Sequence, residues 1–488
     1  MTGTVPVRAP GTRAPAPVPV RRRAVPWLAL VALAFAAVQL ALVVPRTSVG
    51  LLWDESVYAS QVDPRHPAAF FSAPRSRGVS VLVAPLVAVT DSAAVIRTVL
   101  ALASAAALYA VFRVWRPLLG HRATACAALF LAGLWITQIS GSQVMPNLWV
   151  AYGAVAAVGW FLRAPGEPRA RWWLAAALAA VTLLRLPEGG WLALPLLVAA
   201  ATVPTWRCAL PAVLAGPALG AVQWVVEAYV RFGGVPERLR TAGATEGGMH
   251  PHWNVGTVLR SLNGPLLCRP CGTDGPHPLM TLWWWALPLL TAAALVTARR
   301  HRRTATALLP VVCAASLALS YLFLIGFSAP RFLLPAYALL SLPVAAWVVH
   351  TVGHARSRVR AATVVAALTA AHLGVQTAVL VHSTASTAAT ARVYQRAAAD
   401  LRELGLRPPC LVTGPRALPV GYAAGCASAQ VAGNNRSTTA AELRRRAARV
   451  PAAALAGRGG GTAPHFARDW VRHTMPRTGW TVYLAPRR

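Results

Sequence analysis

Long uncharged apolar runs separated by clusters of arginine constrain this 488-residue chain more than any other feature. A helix needs about 20 apolar residues to cross the ~30 Å hydrocarbon layer of a bilayer. Within lipid, every backbone polar group must be satisfied inside the segment, so such runs form helices. Eleven runs approach that length: Trp27–Val44, Ala93–Val114, Ala123–Ile139, Leu148–Leu162, Trp172–Leu184, Trp191–Val203, Ala209–Val230, Leu279–Val296, Thr304–Phe323, Phe332–Val349 and Ala361–Leu380. Only 12% of residues are charged, 56% are hydrophobic, and mean hydropathy is +0.50. A soluble protein averages about a quarter charged residues. The composition excludes an ordinary soluble enzyme and a disordered chain, and predicts an all-α polytopic membrane protein.

The net charge of +33 is carried without a single Lys. A nucleic-acid-binding domain gathers its basic residues on one face. Here they recur as short clusters between apolar runs, the way a membrane protein marks its cytoplasmic loops. With eleven helices, the clusters Arg113/Arg116/Arg122, Arg163/Arg169/Arg171, Arg299/Arg300/Arg302/Arg303 and Arg356/Arg358/Arg360 all fall on the side of the N-terminus. That arrangement requires the two short runs flanking Arg185-Leu-Pro-Glu-Gly-Gly190 to be separate helices. It also requires Gly78–Thr90 to be re-entrant or interfacial. The N-terminus is then cytoplasmic and the C-terminus external, in a bacterial plasma membrane. A signal peptide is the competing reading of Trp27–Val44, but that run is long for one.

The predicted organisation is a disordered tail over residues 1–25, a transmembrane domain over 26–382 with external loops near 45–92 and 231–278, and a small external α/β domain over 383–488. In that last segment, Ala388–Leu406 and Ala440–Val450 have helical spacing, and Cys410–Thr413 and Trp480–Leu484 read as strands. An oxidising exterior permits the bridges Cys268–Cys271 and Cys410–Cys426. Cys268 and Cys271 with His250, His252 and His277 also suggest zinc, but the spacing matches no compact finger. Trp283-Trp284-Trp285 reads as an interfacial aromatic belt.

The first loop carries the strongest chemical signal. It reads Trp53-Asp54-Glu55-Ser56-Val57-Tyr58, then Ala73-Pro74-Arg75-Ser76-Arg77. In a chain with 14 acidic residues, adjacent carboxylates beside a membrane helix are a candidate base pair. Arg75 and Arg77 are suited to a phosphate. The residues alone leave a solvated loop with a cap at Asp54 equally open. Glu227, an acid in a membrane run, is a functional candidate whose plain alternative is a pair with Arg231. Arg97 is a further candidate, with Asp91 as its plain partner. Arg331 is either an interfacial anchor or a phosphate contact.

Asp-Glu-x-x-Tyr soon after the first membrane helix resembles the motif of the GT-C glycosyltransferases, nearest the dolichyl-phosphate-mannose–protein mannosyltransferases and the aminoarabinose lipid A transferases. Pro330-Arg331-Phe332-Leu333-Leu334-Pro335 is similar to a recurrent segment at the start of one of their late helices. Val57 stands where an Arg is often found, and Ala73–Arg77 replaces a Lys-Pro-Pro segment. The resemblance implies a sugar transferred from a polyprenyl-phosphate donor to an acceptor that is protein, lipid or polysaccharide. It places Asp54 as the catalytic base with Glu55 orienting or tuning it. Together with the readings of the residues themselves, the expected substrate contacts are Tyr58, Arg75, Arg77, Arg97, Glu227 and Arg331. It implies no nucleic acid and no defined cofactor, with a divalent metal left open. The alternatives are a lipid-carrier transporter or flippase, for which the expected internal repeat is missing, and a membrane scaffold that binds cell-wall polymer.

Overall fold

The computed structural model describes residues 25–267, 269, 275–458 and 462–486. Almost all of the predicted tail, residues 1–24, lies outside them, as do Cys268 and Cys271. Each of the eleven predicted runs contains a helix. In chain order the helices through the first half are α1 (Trp27–Thr47), α2 (Trp53–Ser60), α3 (Gly78–Val89), α4 (Ala93–Arg113), α5 (Arg116–Ala132), α6 (Trp135–Ser140), α7 (Asn147–Arg163), α8 (Ala170–Leu184) and α9 (Leu186–Thr202). There follow α10 (Leu210–Phe232), α11 (Val235–Glu246), α12 (Val255–Ser261), α13 (Pro278–Arg300), α14 (Thr304–Phe323), α15 (Leu334–His354) and α16 (Arg358–Glu403). By length and apolar composition, seven helices of the described residues suffice to cross a membrane, and α3, α8 and α9 are shorter apolar helices. The chain is a polytopic helical membrane protein with a small C-terminal α/β domain.

Two boundaries differ from the sequence reading. The run Ala123–Ile139 is not one helix: α5 stops at Ala132. Gly133 there lies against α16, where an added Cβ would sit 2.4 Å from Leu373 Cδ2. The side chain of Gln376 in α16 accepts a bond from the Trp135 amide at 3.0 Å, which starts α6. Second, Ala361–Leu380 and all but the last three residues of Ala388–Leu406 belong to one helix of 46 residues, which ends at Glu403. No Gly or Pro occurs between Gly374 and Gly405 to interrupt it. At 1.5 Å per residue α16 is roughly 69 Å long, about twice the hydrocarbon thickness. Its apolar half is largely exposed and meets the bundle along one edge, through Gln376, Val379 and Leu380, and its second half supplies Ala397, Ala398 and Leu401 to the core of the C-terminal domain.

That domain contains β1 (Leu411–Thr413), α17 (Ala417–Ala424), β2 (Ala427–Ser428), α18 (Ala440–Ala447), β3 (Ala452–Arg458), β4 (Val471–Thr474) and β5 (Trp480–Leu484). The sheet order is β2-β1-β3-β5-β4; the first three strands are parallel and β5 is antiparallel to its neighbours. Both strands read from the sequence are present, and α18 lies within the predicted basic helix. The predicted Cys410–Cys426 bridge is formed. The domain is seated on the first loop: Tyr422 of α17 donates to Asp63 Oδ2 at 2.9 Å, and its ring lies 4.5 Å from that of His66. The expected belt at Trp283–Trp285 is only partly outward. Trp284 Nε1 donates to Tyr337 at 3.1 Å, Trp283 packs on the same tyrosine, and Trp285 is exposed.

Candidate functional site

α2 decides how the two adjacent carboxylates are used. Residues four apart share a face of a helix, whereas neighbours are turned about 100° from one another. Asp54 and Tyr58 therefore line one face, and Glu55 points toward the bundle. Glu55 Oε2 accepts from the Leu52 amide at 2.9 Å, closing the first turn of α2. Its two oxygens also receive the Arg97 guanidinium at 2.9 and 2.8 Å, and Oε1 accepts from the Val144 amide at 3.1 Å. Arg97 is fully buried and donates in addition to the Thr47, Gly50 and Ser142 carbonyls. Arg97, expected at the substrate, is instead enclosed and does not line the cavity described below. Glu55, expected beside the base, is saturated by four donors and 1% exposed. The pair holds α2 to α4 and so fixes the helix that carries Asp54.

Asp54 faces a cavity of about 720 Å³. Arg75 Nη2 donates to its Oδ1 at 2.8 Å and Arg331 Nη2 to its Oδ2 at 3.1 Å. The side chain keeps 30% of its surface exposed, so this is an open pair and not a sealed one. Burial pushes the Asp54 carboxyl up, but Arg75 and Arg331 more than offset it and hold it below its ordinary value. Arg75 is oriented by Ser72 and stands 5.2 Å over the Tyr58 ring. Arg331 also donates to the Leu266 carbonyl at 2.7 Å, while its Nε is buried without a partner. Arg75 and Arg331 thus converge on one carboxylate from segments far apart in the sequence.

Arg77 does not join them. It takes Glu227 through Nε at 3.0 Å and Nη2 at 2.7 Å, and Gln61 through Nη1. Glu227 also receives Arg231 at 2.8 Å and Arg238 at 3.1 Å, so both the site residues and the plain alternative meet in one network. Neither Arg77 nor Glu227 lines the cavity. Fully buried Arg238 stacks 4.2 Å over Trp224 and donates to the Ala73 and Arg75 carbonyls. That network pins the loop segment from which Arg75 reaches Asp54.

The rest of the cavity escaped the sequence reading. Arg185, between α8 and α9, bonds Glu188 and donates to Tyr321 at 3.1 Å; Tyr321 in turn donates to Glu188. Tyr321 stacks on Phe332, next to Arg331. A signal was present: an acid inside an apolar run is a functional hypothesis by default, yet Arg185-Leu-Pro-Glu served only to place a helix break. Arg269 stands 4.3 Å over Phe327, and Glu246 closes α11. Burial holds the Glu246 carboxyl above its ordinary value despite Arg185 and Arg269. Leaving aside Glu55, which Arg97 neutralises, four arginines face three carboxylates around this space. The site is cationic, deep and partly desolvated, which suits an anionic group. Among the described residues, no three His, Cys, Asp or Glu side chains are grouped to hold a metal ion.

Neither a sequence-family model nor a curated protein matches this chain. Solved structures do. The chain is similar to ArnT from Cupriavidus metallidurans bound to undecaprenyl phosphate, with a TM-score of 0.64 at 14% identity over 93% of this chain and 98% of that one. It is also similar to the Archaeoglobus fulgidus oligosaccharyltransferase crystallised with Zn and sulfate, with a TM-score of 0.55 at 14% identity over 88% and 68% of the two chains. The same archaeal enzyme, AglB, solved with an inhibitory peptide and a dolichol-phosphate, matches at a TM-score of 0.50 and 13% identity, covering 88% of this chain and 69% of that one. Over most of its length, helical bundle and C-terminal domain included, this chain shares the fold of these solved structures.

Proposed function

We propose that this protein is a glycosyltransferase that moves a sugar from a polyprenyl-phosphate donor to an acceptor hydroxyl at the outer face of a bacterial plasma membrane. The observation that carries the reading is the convergence of Arg75 and Arg331 on Asp54 at the wall of a cationic cavity. The acceptor oxygen attacks the anomeric carbon, and Asp54 takes its proton. The bond from that carbon to the phosphate oxygen breaks, and the electron pair leaves with the polyprenyl phosphate. Preorganised guanidiniums stabilise the charge that grows on the leaving group. ArnT bound to undecaprenyl phosphate and AglB bound to dolichol-phosphate support a lipid-phosphate donor. No step in this scheme is assigned to a metal.

In the resting site the two arginines neutralise the base. An arriving phosphate competes for both of them. As they turn to the phosphate, Asp54 loses the charges that hold its carboxyl low and gains a nearby anion, so its proton affinity rises. The acid limb of kcat/KM reports the free enzyme, and that of kcat reports the donor complex. The acid limb of kcat is therefore expected at higher pH than that of kcat/KM. Coincident limbs in a pH–rate series would contradict this exchange.

Arg331→Ala is expected to weaken donor use, since truncating one partner of a desolvated charge pair typically costs ~2–5 kcal/mol. Donor titration at fixed acceptor measures it; an unchanged donor KM would remove Arg331 from the phosphate site. Topology is tested separately. A cysteine introduced within residues 462–486 is expected to react with an impermeant thiol reagent on intact cells, and one near Arg302 is not. The reverse pattern would turn the proposed site inward.

A further inference from the structure

We infer that the C-terminal domain carries an acceptor subsite for an anionic saccharide, in a second cavity that adjoins the Asp54 cavity. The inference rests on the transferase reading only in calling that saccharide the acceptor. The second cavity has a volume of about 400 Å³, within the usual range of small-ligand sites. Thr390 and Tyr394 of α16 line both cavities, so the two spaces meet across one helix.

The cavity lies beside the end of the sheet at which β1 and β3 finish, between α16, Arg416 and the start of β5. In an open α/β sheet, ligands bind outside the carboxyl ends of the strands, where strand order reverses. With parallel strands ordered β2-β1-β3, that point is the β1/β3 crevice. β1 ends at Thr413, and the chain turns through Gly414, whose φ is +89°. A Cβ there would meet the Leu455 carbonyl oxygen of β3 at 2.2 Å, so only glycine lets the turn lie this close to β3. Arg416 follows in the left-handed region at φ 62°, an unusual conformation for a non-glycine residue. It lines the cavity with its guanidinium 5.0 Å from the Trp480 ring. Trp480 begins β5, on the far side of β3 from β1, and pairs with Arg458 at the carboxyl end of β3, so the cavity it lines opens at that end of the sheet.

The charge in this space is uneven. Arg477 is committed to Asp400 and Glu403. Arg416 and Arg396 both line the cavity and are exposed, and neither has a carboxylate partner among the described residues. Two uncommitted guanidiniums beside a wall of Tyr394, Trp480 and threonine hydroxyls fit a sugar that bears a carboxylate or phosphate. Bound there, the saccharide extends past Thr390 and Tyr394 toward Asp54.

The test uses the full chain in nanodiscs of uncharged lipid, titrated calorimetrically with a uronic-acid trisaccharide and with a neutral trisaccharide. The expected result is binding of the uronate at least tenfold tighter than the neutral sugar, weakened by 0.5 M salt, and lost about tenfold or more in Arg396→Gln and in Arg416→Gln. Arg396 is exposed on a helix, so its variant decides the matter if Arg416→Gln misfolds. A neutral trisaccharide bound as tightly as the uronate overturns the inference, and so does uronate binding unchanged in Arg396→Gln. Uronate binding abolished by adding phosphatidylglycerol to the nanodiscs also overturns it, because the arginines then serve the membrane. The two readings fail separately. Charge-dependent uronate binding combined with full transfer by Asp54→Asn would refute the catalytic site and leave the subsite standing.

Discussion

Asp54→Asn is expected to lower transfer 10²–10⁴-fold, the usual cost of losing a general base, with folding intact. The sign of its effect on the donor is the sharper part. Asn keeps the shape of the side chain but removes the charge that Arg75 and Arg331 now neutralise at 2.8 and 3.1 Å. Both guanidiniums then face the cavity without a competitor for the phosphate. Donor KM is therefore expected to hold or fall while kcat collapses. A variant that loses donor binding in step with kcat would make Asp54 a structural anchor for the two arginines. Steady-state kinetics with the donor varied distinguishes the two.

Arg97→Ala carries the largest expected cost to stability. Breaking a buried pair by removing one partner typically costs ~3–5 kcal/mol, because the other charge is left uncompensated. Here the orphan is Glu55, 1% exposed, at the base of α2. Replacing both members by methionine is expected to recover part of the loss, since it removes the stranded charge. Recovery stays incomplete because the Leu52 and Val144 amides also depend on Glu55. Thermal unfolding of the purified variants in one detergent measures this. A single variant as stable as the parent would show that the pair does not hold the first loop.

What the sequence disclosed follows from the physics of each signal. Membrane helices were legible because lipid imposes a length and a composition on every one of them. The run at Ala123–Ile139 was misread at its end because Gly133 and Gln376 stop α5 through contacts with α16, remote in sequence. The helix α16 was divided because hydropathy changes near residue 383 while helical geometry does not. Asp54, Tyr58, Arg75 and Arg331, from a motif and two arginine-bearing segments, line one cavity, whereas Arg77, expected with them, does not. Glu55 stands out as the motif neighbour of Asp54, Arg77 as a phosphate contact beside Arg75, and Arg97 and Glu227 because charge in a membrane run is seldom idle. They proved to pair with one another, Glu55 with Arg97 and Glu227 with Arg77, and partner choice is set by which helix faces meet. Arg185, Glu188 and Tyr321 were visible residue by residue, yet only the packing of α14 against α9 brings the tyrosine to the acid.

Departure of the sugar from a polyprenyl phosphate at Asp54 is measured by reconstituting the purified chain in liposomes with lipid-linked sugars extracted from its native membrane and a cell-envelope extract as acceptor. Free polyprenyl phosphate is then followed by mass spectrometry. Acceptor-dependent release is expected from the parent, and release at least ~100-fold lower from Asp54→Asn. Equal release by both proteins would overturn Asp54 as the base.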